Sequence, residues 1–347
     1  MKKTLVTVIQ YVVFLGLGIW IIYHMLHQLT AGQRESLVSA IKSVHVWYLL
    51  PIFVACFFSH FFRALRWRLL LETIGVKPSI PNTTFAVLVG YIANLALPRA
   101  GEIAKCTVLA RYEKLPAHKM VGTIVAERAF DICCLIVISI FAVLMEAHVI
   151  GHVAANFMAH IGAAIHRHTT TLLIILAVLI ALIIFLVQFY RHHRDNRIGR
   201  FMKEMSHGVT SIIHMKKRGW FTLYTVLMWI CYLSQIYIGF KAFPATNHLS
   251  IFVALLVLVY GSLGLIITPG GIGAYTLLVA QMLTYYAIDD VHAQAFGWIA
   301  WAIQTGYIFI LGILSLIILP IYNHSRDAKT GLDTGKDIDH RVSGTPL

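Results

Sequence analysis

Leu97-Pro98-Arg99-Ala100-Gly101-Glu102 interrupts two apolar runs, 83–97 and 103–110, and puts a proline, a glycine and two charges where a buried helix would carry none. The first run is marginal for a full membrane crossing, and the second is about half a bilayer long. A chain that enters, breaks and returns is a re-entrant hairpin or a discontinuous helix. Such backbone is tolerated at membrane depth only where it is buried in protein or lines a wet cavity. A matching stretch, Thr268-Pro269-Gly270-Gly271-Ile272-Gly273, follows 171 positions later. The expectation is two broken membrane segments that meet.

The composition supports a membrane reading. The chain is 59% hydrophobic and 12% charged, with a mean hydropathy of +0.76, whereas a soluble domain carries about 25% charged residues. Spans are expected at 4–25, 47–71, 119–145, 172–190, 220–243 and 290–319, with broken pairs at 83–97/103–112 and 251–267/276–286. Residues 34–44 and 198–212 have the pattern of helices lying in the membrane interface. The first span is too long for a secretory signal, and His24-Met25-Leu26-His27 offers no small-residue cleavage site. The five cysteines all fall in apolar segments without ligand spacing and read as buried hydrophobes.

Shifting the chain by 171 overlays Pro98 on Pro269, Gly90 on Gly261 and Ser79-Ile80 on Ser250-Ile251. Apolar run then covers apolar run, which is the mark of one unit used twice. The fold expected is an all-α polytopic membrane protein with two inverted-topology repeats, each of three spans plus one broken or re-entrant pair. Repeat one covers about 1–150 and repeat two about 170–320, within a membrane domain of 1–322. Residues 323–347 are polar and read as a disordered cytoplasmic tail. Three spans and an even number of crossings from the pair make each half odd, so the halves oppose one another. Inverted repeats with broken helices near the midplane are a transporter architecture.

The net charge of +13 is explained by the positive-inside rule rather than by nucleic acid. Arg63 to Lys77, Arg111 to Lys119, the block from Arg191 to Arg218 and Arg326 to Arg341 all fall on one side. The loop at 146–171, with five histidines, one arginine and no lysine, falls on the other, as do 244–248 and Asp289-Asp290. Both termini are thereby expected in the cytoplasm.

A charge at the bilayer centre costs about 2.5–3.5 kcal/mol on insertion scales, so it has a partner or a function. Arg99 and Glu102 stand at the break, and a helix starting at Gly101 aims its positive end at the cavity. Glu127, Arg128 and Asp131 lie about two turns into the span after Lys119. Arg128 can pair with Asp131 at three apart. In the functional reading Arg99 and Arg128 hold an anionic group while Glu102, Glu127 and Asp131 balance it; in the bland one they are an ion-pair network joining spans. Arg63 and Arg66 share a face, and either snorkel to lipid phosphates or gather substrate. The second half carries Gly273, Ile299 and Ala302 at the places of Glu102, Arg128 and Asp131, so the site is asymmetric.

No phosphate-binding loop, His-Glu-x-x-His or Gly-x-Ser-x-Gly motif is present. The histidines do not form a metal set. No enzyme activity, metal or cofactor is expected.

Phe62-Arg63-Ala64-Leu65-Arg66-Trp67, Asn94 with Pro98-Arg99-Ala100-Gly101-Glu102, Glu127-Arg128 with Asp131, and Pro269-Gly270-Gly271-Ile272-Gly273 together resemble a known family. It is the lysylphosphatidylglycerol synthase transmembrane family, the flippase-like membrane region of the bacterial multiple peptide resistance factor. The resemblance implies a multi-pass protein of the bacterial cytoplasmic (inner) membrane that flips a phospholipid or lipid-linked anionic headgroup between leaflets. These motif residues are then its substrate-binding set. Bifunctional members carry a soluble aminoacyl-transfer domain after the membrane part; none follows here, so aminoacyl-lipid synthesis is not expected. Members often have an acid near 274–276, where this chain has Thr276, which weakens any proton-coupling role for that half. Two alternatives stay open: an ion- or proton-coupled transporter of a small anionic solute, and a non-transporting lipid-binding partner of an envelope enzyme. Membrane lipids are the partners expected, with a homo-oligomer or an envelope enzyme as further company and no nucleic acid.

Overall fold

The computed structural model describes residues 42–96, 100–115, 117–146 and 215–342, with Glu35, Val38 and Ser39. The expected spans at 4–25 and 172–190, the His-rich loop, the interfacial helix at 198–212 and most of that at 34–44 lie outside the described residues.

Eight α-helices are described: α1 (Leu49–Thr73), α2 (Ile80–Ala96), α3 (Ala100–Glu113), α4 (Ala117–Met145), α5 (Arg218–Ala242), α6 (Ile251–Ile267), α7 (Ala274–Thr284) and α8 (Asp290–Val342). No strand occurs among the described residues. Among the described residues four helices are long and apolar enough to cross a membrane: 46–73, 120–145, 218–242 and 290–326. One face of α4 shows why, since Ile132, Ile136, Val137, Ile140 and Leu144 are all exposed. An apolar stripe of that length stays out of water only in lipid. The chain is an integral membrane protein.

The interruption expected at 97–102 is shorter: α2 ends at Ala96 and α3 begins at Ala100, so Gly101 and Glu102 lie in its first turn, and Leu97, Pro98 and Arg99 lie outside the described residues. Helix α2 starts earlier than the apolar run, at Ile80, because Pro81 is tolerated in a first turn where its missing N–H is not needed. Ser79 caps that turn, its hydroxyl accepting from Asn82 N at 3.4 Å. The equivalent Ser250 caps α6 in the same way, accepting from Val253 N at 3.3 Å. Both α2 and α6 are 17 residues long, and the shift of 171 carries the ends of one onto the ends of the other. The return arms α3 and α7 end at Glu113 and Thr284, again 171 apart.

Each half therefore runs span, broken pair, span in the same order. The two pairs are closed by close-packed backbone. Gly101 sits so tightly against Gly90 O and Asn94 that a Cβ there would overlap both. In the second pair a Cβ on Gly264 would lie 2.6 Å from Tyr275 Cα. The second break is the turn Pro269–Gly271, with Gly270, Gly271 and Gly273 at φ of 65°, 72° and 75°, values that glycine adopts without strain.

Helices α1 and α5 pack on each other, α8 packs along α2, and α4 packs on α6. The span that follows each broken pair thus packs on the broken pair of the other half. One core gathers Trp67, Leu70, Leu71, Val87, Leu109, Met120 and Phe221; the other gathers Phe240, Phe243, Leu256, Val257, Met282, Leu283 and Phe296. Helix α8 continues to Val342, through the stretch that composition assigns to a polar tail. Asn323, the first residue of that stretch, is buried against Asn82, so its beginning is tied into the bundle.

Candidate functional site: a buried ionic cluster beside the first break

Helix α4 carries Glu127 and Asp131 on one face, since residues four apart are stacked neighbours. Glu127 lies ten residues into α4, which by helix rise is about 15 Å from its start and close to the middle of a bilayer. Helix α1 presents Arg63 and Arg66 to that face. Arg63 Nη1 is 3.0 Å from Glu127 Oε1 and 2.8 Å from Asp131 Oδ2. Arg66 Nη2 is 3.2 Å from Glu127 Oε1 and 2.6 Å from Asp131 Oδ1. From α3, Lys105 Nζ reaches Glu127 Oε2 at 2.8 Å. Glu127 and the Arg66 side chain have no exposed surface, and Lys105 is buried.

Aromatic rings wall this cluster. Lys105 Nζ stands 4.5 Å from the Trp67 ring centre, and the Arg66 guanidinium 5.7 Å from that of Phe221. Arg63 Nε donates to Tyr232 Oη at 3.4 Å and lies 6.0 Å from the Tyr91 ring. Cation–π contacts gain strength where water is excluded. Trp67 is fixed in turn by its indole N–H, which donates to Thr123 Oγ1 at 3.0 Å.

Among the described residues three cations meet two carboxylates, an excess of one positive charge in the buried core of the site. Buried polar groups are nearly always satisfied. Arg66 Nε and Nη1 are nonetheless without a hydrogen-bond partner among the described residues.

A sixth and seventh charge stand at the edge. Arg128 Nη2 pairs with Glu102 Oε1 at 3.0 Å, with the two side chains 44% and 27% exposed. This corrects the expected pairing of Arg128 with Asp131. Both oxygens of Asp131 are taken by Arg63 and Arg66 of α1, and Arg128, about 60° away around the helix, pairs with Glu102 of α3 instead. Arg63 and Arg66 do not snorkel; both are buried in the cluster.

Asn94 and Gly101 have a structural task. Asn94 Oδ1 accepts from Gly101 N at 2.7 Å, so one of the free N–H groups at the start of α3 is already taken. Arg99 and Pro98 lie outside the described residues. The turn of the second break packs against α2, with Leu95 the nearest neighbour of a Cβ built on Gly270, at 3.7 Å. Its glycines make no polar contact with the cluster; Gly270 O instead accepts from Trp301 Nε1 at 2.8 Å. The second break thus packs against α2, while the charges of the described residues gather on one side only.

Lys105 is the residue that sequence reasoning missed. It sits inside the short apolar run after the break, and a lone lysine at that depth is itself a signal. Tyr91 and Tyr232 gave none, because aromatic residues are common throughout the spans.

Outside the spans, a second polar cluster joins α2, α3 and α8. Glu113 Oε1 accepts from Arg326 Nη1 at 2.9 Å, from Ser79 Oγ at 2.6 Å and from Asn82 Nδ2 at 2.6 Å. Burial pushes the Glu113 carboxyl up, but the hydrogen bonds from Arg326, Ser79 and Asn82 outweigh it and hold the group below its ordinary 4.5.

A family model, the lysylphosphatidylglycerol synthase TM region, matches residues 7–313. The chain belongs to that family. No curated protein and no solved structure matches it.

Proposed function

We propose that this member of the lysylphosphatidylglycerol synthase TM region family translocates a phospholipid or a lipid-linked anionic headgroup between membrane leaflets. The observation that carries the proposal is the excess of buried positive charge at Arg63, Arg66 and Lys105 over Glu127 and Asp131. It lies beside a broken helix, with Arg128 and Glu102 half-exposed at its rim. An isolated buried charge is costly, and an anionic headgroup supplies the missing counter-charge. Arg128 is the first contact, because it is exposed and can exchange Glu102 for a phosphate in a bidentate geometry. Arg63, Arg66 and Lys105 set the positive potential behind it.

The two halves are read as inverted repeats, supported by the matched bounds of α2 with α6 and by the crossed packing of α8 on α2 and α4 on α6. The site is then asymmetric, the first pair reading the headgroup and the glycine-rich second pair shaping its surroundings. The positive loops set the N- and C-termini in the cytoplasm of a bacterial inner-membrane protein.

A second reading has its own support. Glu127 is enclosed by three cations and has no exposed surface, as an ion network that only braces α1, α3 and α4 would be. A protein of that kind would bind lipid as a partner of an envelope enzyme without moving it.

Reconstituted vesicles with a fluorescent anionic phospholipid separate the two. Loss of a charge-assisted contact worth about 1.5–3 kcal/mol predicts at least a ~10-fold fall in translocation for Arg128→Ala. Glu102→Gln should also slow transport, since it removes the group that Arg128 exchanges. Wild-type rates in both folded variants would overturn the assignment.

A further inference from the structure

The bundle is fastened at both ends by polar contacts that none of the preceding chemistry uses. At one end Glu113 closes α3 and binds Arg326 on α8 and Ser79 and Asn82 at the start of α2. Beside it Asn82 and Asn323 exchange side-chain amide hydrogen bonds, Asn82 Nδ2 donating at 2.9 Å and Asn323 Nδ2 at 2.8 Å. At the other end Tyr286, just past α7, donates its hydroxyl to Glu146 Oε2 at the end of α4, at 3.1 Å.

Two features make these contacts a pair. Each joins the open end of one broken pair to the long span of the opposite half: α2/α3 to α8, and α6/α7 to α4. They also lie at opposite ends of the bundle. Helix α4 begins four residues after Glu113 and ends one before Glu146, and its 29 residues rise about 43 Å.

Between the ends, the same elements meet through small and apolar groups, Gly312 against Ile92 and Leu88 near Leu311. Such surfaces can slide or pivot. Arg326 is part-exposed, so water can replace its contacts when the end opens.

We propose that the Glu113–Arg326/Asn82–Asn323 contacts and the Tyr286–Glu146 contact are two gates, broken in alternation, that regulate access to the site from the two membrane faces. This rests on the reading of the protein as a translocator, and it names what controls that same site. With the Glu113 clasp open, α2 and α3 separate from α8 while the Tyr286 clasp holds. The reverse state exposes the other face. The chemistry differs between the ends. Among the described residues, five side chains hold one end, an ion pair between two of them included, and one hydroxyl–carboxylate bond holds the other.

Distances between paired spin labels test this without measuring transport. Labels go on the exposed Arg111 and His324 at one end and on the exposed Leu144 and Tyr285 at the other. Cys133, Cys134 and Cys231 are replaced by alanine, and the protein is placed in vesicles of anionic phospholipid. Glu113→Gln should add a longer Arg111–His324 population and shift Leu144–Tyr285 toward its shorter one. Tyr286→Phe should do the opposite. Single distances at both ends, unchanged by either variant, overturn the gates. If the distances shift as expected but vesicles show no lipid translocation, the gates stand and the lipid reading falls.

Discussion

The two halves place the same helices at the same intervals yet fill their centres with opposite chemistry. Arg63, Arg66, Lys105, Glu127, Arg128 and Asp131 of the first half correspond, at 171 positions on, to Ser234, Tyr237, Thr276, Trp298, Ile299 and Ala302. In the second half Thr276 is buried and bonds only to its own helix turn, donating to Gly273 O at 2.9 Å. The broken pair closes there on Tyr275 and its glycines alone. Charges are therefore dispensable for building this frame. Their concentration in the first half, against the desolvation cost of burying them, is the reason that half is proposed to read the ligand.

The sharpest way to break the comparison is to remove the centre of the charged half. Glu127→Gln leaves Arg63, Arg66 and Lys105 facing Asp131 alone. Removing one partner of a buried pair costs about 3–5 kcal/mol, and thermal unfolding in detergent should show it. Adding Lys105→Thr, the residue of the second half, should recover part of that loss. A double variant no better than the single one would mean that the cluster does not act as a coupled unit.

Closure of the two pairs can be compared next. Gly101→Ala drives a Cβ into Gly90 O and Asn94, and Gly264→Ala drives one into Tyr275 Cα. Overpacking of this kind costs about 1–3 kcal/mol. The first variant should also lose transport, because its pair carries Glu102 and Lys105; the second should lose stability with less effect on rate.

The smallest effect expected is in pH. Glu113 has a folded-state pKa below its ordinary value because Arg326, Ser79 and Asn82 donate to it, against burial. A depressed carboxylate contributes stability above 4.5 that is lost as pH falls through the lower folded value. Thermal stability should therefore decline on acidification below about 4.5, and Glu113→Gln should flatten that part of the curve. An unchanged acid limb in the variant would remove Glu113 from the account.

Much of this frame is legible in the residues. The first arm of the second broken pair is legible at 251–267, which is where α6 lies, because a proline and three glycines punctuate an otherwise unbroken apolar run. The start of α2 was not, because Pro78 and Pro81 read as a loop until Ser79 is seen to cap the turn. Among site residues, Glu127 and Asp131 share a face by spacing alone, and Arg63 and Arg66 likewise. That the two faces meet is a tertiary fact, 61 to 68 residues apart in the chain, and periodicity carries no information about it. For the same reason the partner of Arg128 was sought three residues along its own helix and is found on α3. The Asn82–Asn323 exchange, 241 residues apart, was out of reach of any local pattern.

The central claim is that the first half reads an anionic headgroup and the second half shapes the space around it. The most direct measurement is the initial rate of translocation of a fluorescent anionic phospholipid by two folded variants at equivalent positions, Arg128→Ala and Ile299→Ala. The account predicts at least a ~10-fold fall for the first and a rate near that of the unaltered protein for the second. Equal rates for the two would contradict it.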